Sequence, residues 1–185
     1  MKKFTPLFLS LVFCMCIQSH TQAQKHQKKH NDFLVTNNND TLRGRFQKKI
    51  FGQPYFIING KKLLLDPQTY TAYSTQGKLF RSIQLSTVTD PQWMECLENG
   101  KINLYQYVLL NSNHPGSPST SVIWLAQKGG GPLLNVNGIL SSQSVAKENM
   151  TTLIIDKNDI LKKFNDLPFN TRSIQYIIHE YNNEK

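Results

Sequence analysis

Apolar residues between Phe33 and about Val136 form short runs separated by polar turn residues, with no long stretch of helical 3.6-residue periodicity. Short runs punctuated by turn dipeptides are typical of antiparallel β-structure. Two of the dipeptides, Asn59-Gly60 and Gln76-Gly77, suit the positive φ angles of a type I′ hairpin turn. The pattern predicts an antiparallel β-sandwich or small barrel of about eight to ten strands. The runs predicted as strands are 33–36, 41–46, 54–58, 61–65, 70–75, 78–85, 93–98, 102–110, 121–127 and 132–136.

The most regular run is 102–110, whose even-numbered positions are all apolar apart from Gln106. Because successive side chains of a strand point to opposite faces, this alternation assigns one face to the core. Tyr105 and Tyr107 then lie on the other face, where a phenol can keep its hydroxyl in water. The polar stretch 111–120 that follows is too rich in Pro and Gly to pair in a sheet and is predicted to be a loop.

The periodicity becomes helical toward the C-terminus. Residues 156–165 and 171–182 are predicted helices, with Asp156 and Thr171 as their N-caps. The second helix carries a continuous apolar stripe, made of Ile174, Ile177, Ile178 and Tyr181. The simplest cover for this stripe is an open face or end of the sheet. The sequence therefore predicts an α+β, mainly β fold with two C-terminal helices packed on the sheet.

The N-terminus has the parts of a secretory signal peptide. Two lysines precede an apolar stretch at 4–17, and the small residues Thr21 and Ala23 allow cleavage after Ala23. An apolar helix of 14 residues spans about 21 Å, which is short of the roughly 30 Å of bilayer hydrocarbon. We expect residues 1–23 to be removed during export to the periplasm, the cell surface or the medium, leaving no transmembrane segment.

Length and composition predict that the rest of the chain forms one domain. The 185 residues include 21 Lys+Arg and 12 Asp+Glu, and removal of residues 1–23 leaves 19 basic and 12 acidic residues. With 39% hydrophobic and 18% charged residues, the chain can build a core and is not a disordered polymer. Residues 24–32 contain no apolar side chain and are predicted to be a flexible basic tail, followed by a single β-rich domain at 33–185. Cys96 is the only cysteine left, so the core must stabilise this domain without an intramolecular disulfide.

The positive charge favours anionic partners. Adjacent lysines occur at 48–49, 61–62 and 162–163, where they could bind an acidic glycan or lipid surface. Lysines at strand edges also serve to prevent edge-to-edge association, which is the competing explanation. Export removes nucleic acid from the expected partners, whereas another envelope protein remains among them.

Four tyrosines and one loop histidine are the candidate ligand-binding residues. Tyrosines exposed on strands could stack on sugar rings, although cross-strand packing explains them equally well. The candidates are Tyr70, Tyr73, Tyr105, Tyr107 and His114.

No motif predicts a catalytic, metal or cofactor site. Pro132 follows Gly129-Gly130-Gly131 where a phosphate loop needs Lys-Ser/Thr, and no second histidine follows His179-Glu180. The chain has no Gly-x-Ser-x-Gly elbow, and alternation with Met94 predicts that Cys96 is a buried apolar thiol. We therefore predict no catalytic residue, metal or cofactor; the question of enzymatic activity stays open, leaning against it.

Three short segments, together with the signal peptide, resemble an uncharacterised family of short secreted β-rich proteins of Gram-negative bacteria. The segments are DTLRGR at 40–45, NGKINLY at 99–105 and IHEYN at 178–182. The resemblance implies an exported or envelope protein and carries no catalytic residue. We expect a non-catalytic binding or structural module of the envelope. The alternatives are a secreted hydrolase whose site forms only in the fold, and an electrostatic binder of an anionic glycan or lipid surface.

Overall fold

The computed structural model describes residues 32–49, 52–111 and 119–184. The predicted signal peptide, the predicted tail up to residue 31 and the candidate His114 lie outside the described residues. Within the described part, strands predominate over helices, and the three helices follow all the strands. The predicted mainly β fold with C-terminal helices is confirmed. No described helix is long and apolar enough to cross a membrane.

The elements follow the chain in a simple order. The strands are β1 (Phe33–Thr36), β2 (Thr41–Arg43), β3 (Arg45–Gln47), β4 (Tyr55–Ile58), β5 (Lys61–Leu64), β6 (Tyr70–Thr75), β7 (Lys78–Ile83), β8 (Gln92–Glu98), β9 (Ile102–Asn111), β10 (Ser119–Lys128) and β11 (Leu134–Asn135). The helices are α1 (Gln143–Ile154), α2 (Asn158–Asp166) and α3 (Thr171–Asn183).

Eight of the described strands form one antiparallel sheet in the order β11-β10-β9-β8-β7-β6-β1-β2. Sequence neighbours pair from β6 to β11, as expected when short turns connect antiparallel strands. The strands β3, β4 and β5 form a separate small sheet. The second layer over the large sheet is thus composite, because the small sheet supplies part of it and the helices supply the rest.

The predicted strand at 41–46 is in fact two strands that belong to different sheets. The chain leaves the large sheet after β2 and enters the small sheet at β3, with Gly44 at the crossing. A Cβ at Gly44 would lie 2.6 Å from the backbone oxygen of Ile57. Only glycine lets the two backbones approach this closely, and the single run predicted at 41–46 does not show this change of sheet.

The two predicted type I′ turns are confirmed. Asn59 and Gly60 have φ angles of 50° and 76°, and Gln76 and Gly77 have φ angles of 53° and 77°. Two consecutive residues with positive φ match the right-handed twist of the flanking strands, which fixes the registers of the β4–β5 and β6–β7 hairpins.

The helical region contains both predicted helices and one that was not predicted. Helices α2 and α3 lie within two residues of the predicted bounds, whereas α1 was not predicted. The predicted caps are wrong. Asn170 caps α3 by accepting a hydrogen bond from the Ser173 N–H, and Asp156 lies one residue outside the Lys157 N-cap of α2. Asp156 is instead held by the Tyr181 hydroxyl, which donates to it at 2.8 Å.

One row of side chains across the large sheet shows how its first face is covered. The row consists of register partners on six adjacent strands, Leu34, Tyr73, Phe80, Glu95, Gln106 and Trp124. The small sheet packs on the Leu34 and Tyr73 end of this face, and the helices pack around Trp124. The second face carries a separate apolar cluster built around Met94, Tyr105 and Ile123. The large sheet is therefore apolar on both faces.

Candidate functional site

Two of the four candidate tyrosines lie in the interior. Tyr73 is 7% exposed and Tyr105 is 2% exposed, so the prediction that they lie at the surface is wrong. Both faces of the large sheet carry apolar clusters, and a period of two residues cannot distinguish a solvated face from a second buried one. Tyr105 packs with Met94 and Ile123 on the second face, whereas Tyr73 is on the first face.

Tyr70 and Tyr107 are half-buried, and the large sheet separates Tyr107 from Tyr73. Tyr70 packs at the edge of the cluster that contains Tyr73. Tyr107 lies on the second face, where its hydroxyl donates to Gln92 Oε1 at 3.3 Å. The four tyrosines therefore do not form one binding surface.

The structure brings together a different set of residues in a cleft of about 510 Å³, between the small sheet and the β6–β7 hairpin. We call it the lysine cleft. Its basic side chains are Lys48, Lys49 and Lys78, and its apolar lining comes from Phe46, Pro54, Tyr73 and Phe80. Its described lining contains no Asp or Glu. The size is within the range of small-molecule sites, and the positive charge of Lys48 and Lys49 favours an anionic occupant.

Asp32 joins the two walls of the cleft. Its side chain accepts hydrogen bonds from the Phe46 N–H at 3.2 Å and from the Gln76 N–H at 3.3 Å. Its backbone oxygen also accepts from the Gly44 N–H at 3.2 Å. Asp32 is only 8% exposed, so its assignment to the flexible tail is wrong. Its two side-chain oxygens therefore connect the small sheet to the turn after β6 through hydrogen bonds.

We expect Asp32→Ala to lower the free energy of unfolding by about 1–2 kcal/mol, because two partly buried backbone N–H groups lose their acceptor. Denaturant unfolding measures the change. Asp40→Ala is the matched control, since Asp40 is exposed in a turn and should change stability by less than about 0.5 kcal/mol. Equal effects of the two substitutions would contradict the role given to Asp32.

Tyr73 forms the floor of the lysine cleft and is enclosed by other rings. Its ring stacks on Phe46 at a centroid distance of 5.7 Å and on Phe80 at 4.6 Å, both within 5° of parallel. Trp93 stands at 85° to it with a centroid distance of 4.9 Å. Parallel and perpendicular ring pairs are the favourable arrangements of aromatic quadrupoles. The phenol ring is thus held in place by its aromatic neighbours.

The Tyr73 hydroxyl is a hydrogen-bond donor without a partner among the described residues. Burial raises the pKa of Tyr73 to about 12, and the negative charge of Glu95 adds to the rise. The hydroxyl therefore keeps its proton at any physiological pH and can donate to an anion in the cleft.

The three lysines of the cleft are not equivalent. Lys78 Nζ lies 2.9 Å from the Glu95 carboxylate, which is largely buried beside Phe80. Lys48 and Lys49 are exposed, and Lys49 Nζ lies 5.6 Å from the centre of the Tyr55 ring. Since Glu95 compensates the charge of Lys78, the net positive charge of the cleft comes from Lys48 and Lys49.

The polar side of α3 makes hydrogen bonds to the sheet, although His179 itself is exposed. Glu98 accepts a hydrogen bond from Gln175 Nε2 at 3.4 Å and lies 3.2 Å from His179 Nδ1. Asn182 binds both backbone groups of Ile102, which are the first of β9. This polar stripe joins α3 to the sheet.

Cys96 is half-buried and its chemistry is that of a protonated thiol. Its Sγ donates to the Glu98 backbone oxygen at 3.2 Å. Burial raises the pKa of Cys96, with the nearby Arg81 guanidinium acting in the opposite direction. A raised pKa lowers the fraction of thiolate, which is the nucleophilic form.

Two other cavities are weaker candidates than the lysine cleft. One of about 450 Å³ near the start of α3 has no charged residue in its described lining. The other lies on the second face, beside Tyr107 and Leu140, and holds about 110 Å³ between mostly apolar side chains. No group of three or more His, Cys, Asp or Glu residues in the described part of the chain is placed to hold a metal ion.

Comparison with known proteins finds no matching family model, no matching curated protein and no matching solved structure. The adjacent lysines 48–49 are evident in the sequence, whereas nothing in the local sequence marks Asp32, Lys78 and Phe80 as parts of the cleft. The available signal was the position of Asp32 directly before the first apolar run, and it does not reveal a partner 44 residues away.

Proposed function

We propose that this protein is an exported, non-catalytic binding module of the bacterial envelope, and that it holds an anionic ligand in the lysine cleft. The observation that carries the proposal is a cleft lined by two uncompensated lysines, Lys48 and Lys49, above a buried aromatic floor. The pattern of residues 1–23 supports export, and the net positive charge of the predicted mature chain supports an anionic partner.

The alternatives from sequence analysis differ in what supports them. The electrostatic binder gains support from Lys48 and Lys49, whose charges have no acidic partner in the lining of the cleft. Neither Cys96 nor the lysine cleft supports the hydrolase. The pKa of Cys96 is raised, which disfavours its nucleophilic thiolate form, and the rings and lysines of the cleft do not pair a nucleophile with a base.

Replacement of the uncompensated lysines tests the proposal. In Lys48→Gln/Lys49→Gln, we expect the affinity for an anionic probe such as phenyl phosphate to fall more than tenfold, because a charge-assisted hydrogen bond contributes about 1.5–3 kcal/mol. Wild-type affinity should also fall steeply as salt rises, and the variant should lose most of this dependence. Isothermal titration calorimetry at two salt concentrations measures both effects.

The matched control is Lys162→Gln/Lys163→Gln, which removes the same charge from an exposed lysine pair on α2, outside the cleft lining. Equal losses in the two double variants would mean that net charge acts, and would refute binding in the cleft. Mass spectrometry of the protein from fractionated cells tests export. An intact N-terminus in the cytoplasmic fraction would contradict it, and an N-terminus at Gln24 outside the cytoplasm is the expected result.

A further inference from the structure

The lining of the lysine cleft indicates what kind of anion it takes, an inference that rests on the proposed function. A cleft of about 510 Å³ is much larger than a phosphate or a sulfate ion needs. Its interior surface comes largely from Phe46, Pro54, Tyr73 and Phe80, which a small inorganic anion would leave in contact with water. Apolar surface of this kind favours an occupant that also carries an apolar or planar part.

The two uncompensated lysines and Tyr73 line the same cleft. Lys48 and Lys49 are adjacent in the chain, and both line the cleft. The Tyr73 hydroxyl belongs to a side chain that is 7% exposed and has no described hydrogen-bond partner. A donor without a protein partner is free to bind a ligand, and an anion is a stronger acceptor for it than a neutral group.

We propose that the lysine cleft binds a ring-bearing organic anion, with a single phosphate or carboxylate between the Lys48 and Lys49 ammonium groups and the Tyr73 hydroxyl. The ring of the ligand lies against Phe46 and Phe80. A sugar acid, a sugar phosphate and an aromatic acid share this chemistry. The stacked side chains hold the Tyr73 donor in place before the ligand arrives, so little entropy is lost on binding.

Three probes separate the contributions of charge and ring. Phenyl phosphate carries both, inorganic phosphate carries only the charge, and phenyl β-glucoside carries rings without charge. We expect phenyl phosphate to bind at least about tenfold more tightly than either of the others, because only it uses the lysines and the apolar lining together. Glucuronate and glucose 1-phosphate, compared with phenyl phosphate, distinguish a sugar from an aromatic source of the ring.

The Tyr73→Phe variant tests the hydroxyl itself, since it keeps the stacked ring and removes one oxygen. We expect its affinity for phenyl phosphate to fall about tenfold, as for loss of a charge-assisted hydrogen bond. Tyr107→Phe is the matched control, because it removes a hydroxyl from the opposite face of the same sheet and should leave affinity unchanged.

The outcomes distinguish this inference from the proposed function. If the lysine variant loses binding but Tyr73→Phe does not, the anionic site stands and the role of Tyr73 is overturned. If inorganic phosphate binds as tightly as phenyl phosphate, the proposed contact between the ring of the ligand and the apolar lining is overturned. If none of the probes, sugar acids included, binds at millimolar concentration, or if Lys48→Gln/Lys49→Gln binds like the wild type, the proposed function fails as well.

Discussion

Phe56→Ala is expected to destabilise the domain by about 3–5 kcal/mol, the usual range for removal of a fully buried phenyl ring. Phe56 is 0% exposed at the centre of the cluster between the two sheets. Its ring makes edge contacts with Phe46 at 5.7 Å and with Tyr73 at 6.2 Å, and both of these rings line the lysine cleft. The substitution therefore removes both the packing of the small sheet and the support of the candidate site.

In Phe56→Ala, the small sheet should lose its structure before the rest of the domain unfolds. The small sheet shares no strand pairing with the large one, so the Phe56 cluster and the Asp32 hydrogen bonds are what attach it. Native-state hydrogen exchange should show lowered protection in β3, β4 and β5, with β9 still protected. Phenyl phosphate binding should be lost in the same variant under conditions where the helices remain folded.

Phe164→Ala is the matched control on the other core. Phe164 is 2% exposed in the cluster formed by the helices and the ends of β9 and β10, so its removal has a similar transfer cost. We expect it to lower protection in α2 and α3 and to retain the cleft. Uniform loss of protection in both variants would show one cooperative unit and would refute the local effect.

Asn182→Ala is expected to cost about 2–4 kcal/mol, although it removes only an amide near the end of the last helix. Asn182 Oδ1 accepts from the Ile102 N–H at 2.8 Å, and Nδ2 donates to the Ile102 backbone oxygen at 2.8 Å. Ile102 is 0% exposed, so alanine at 182 leaves a buried donor and a buried acceptor unpaired. The amide acts as a one-residue strand that pairs with the start of β9.

The neighbouring asparagine supplies the control for this prediction. Asn183 is exposed, and among the described residues its amide hydrogen-bonds to His179 alone, one turn earlier in α3. Asn183→Ala should therefore change stability by less than about 0.5 kcal/mol. Thermal and denaturant unfolding of both variants measures the difference. Similar values for the two substitutions would contradict the pairing of Asn182 with β9.

Gly100 gives a second test of the same contact. A Cβ at Gly100 would lie 2.6 Å from Cγ of Asn182, so Gly100→Ala should destabilise the wild type by forcing the amide away from Ile102. In the Asn182→Ala background that obstacle is gone, and Gly100→Ala should cost much less. The double-mutant cycle should therefore be strongly non-additive, and simple addition of the two effects would argue against this geometry.

Local pattern was sufficient for most of the secondary structure. The alternation in β9, the paired positive-φ residues at 59–60 and 76–77, and the apolar stripe of α3 are each encoded within a few residues. Helix α1 escaped prediction although Ala146, Met150, Leu153 and Ile154 are buried on one side of it. Its other residues are polar apart from the exposed Val145, and packing against β11 and α2 provides the stabilisation that the local pattern does not signal.

The candidate site was much less accessible to sequence reasoning than the fold. The adjacent lysines 48–49 were visible, and Tyr73 was among the candidates, but for a surface role. The burial of Tyr73 required knowing that the small sheet covers it, which follows from the crossing at Gly44 and not from any property of residues 70–75.

The sequence by itself determined where apolar and polar residues alternate in strands, where hairpin turns form and which residues make an apolar helical stripe. These features depend on backbone preferences and side-chain periods over a few positions. Only the tertiary structure decided which apolar surfaces meet and which polar groups converge. Asp32 reaches partners 14 and 44 residues away, and Asn182 reaches one 80 residues away. Contacts at such separations are selected by the packing of the whole chain, so no local pattern records them.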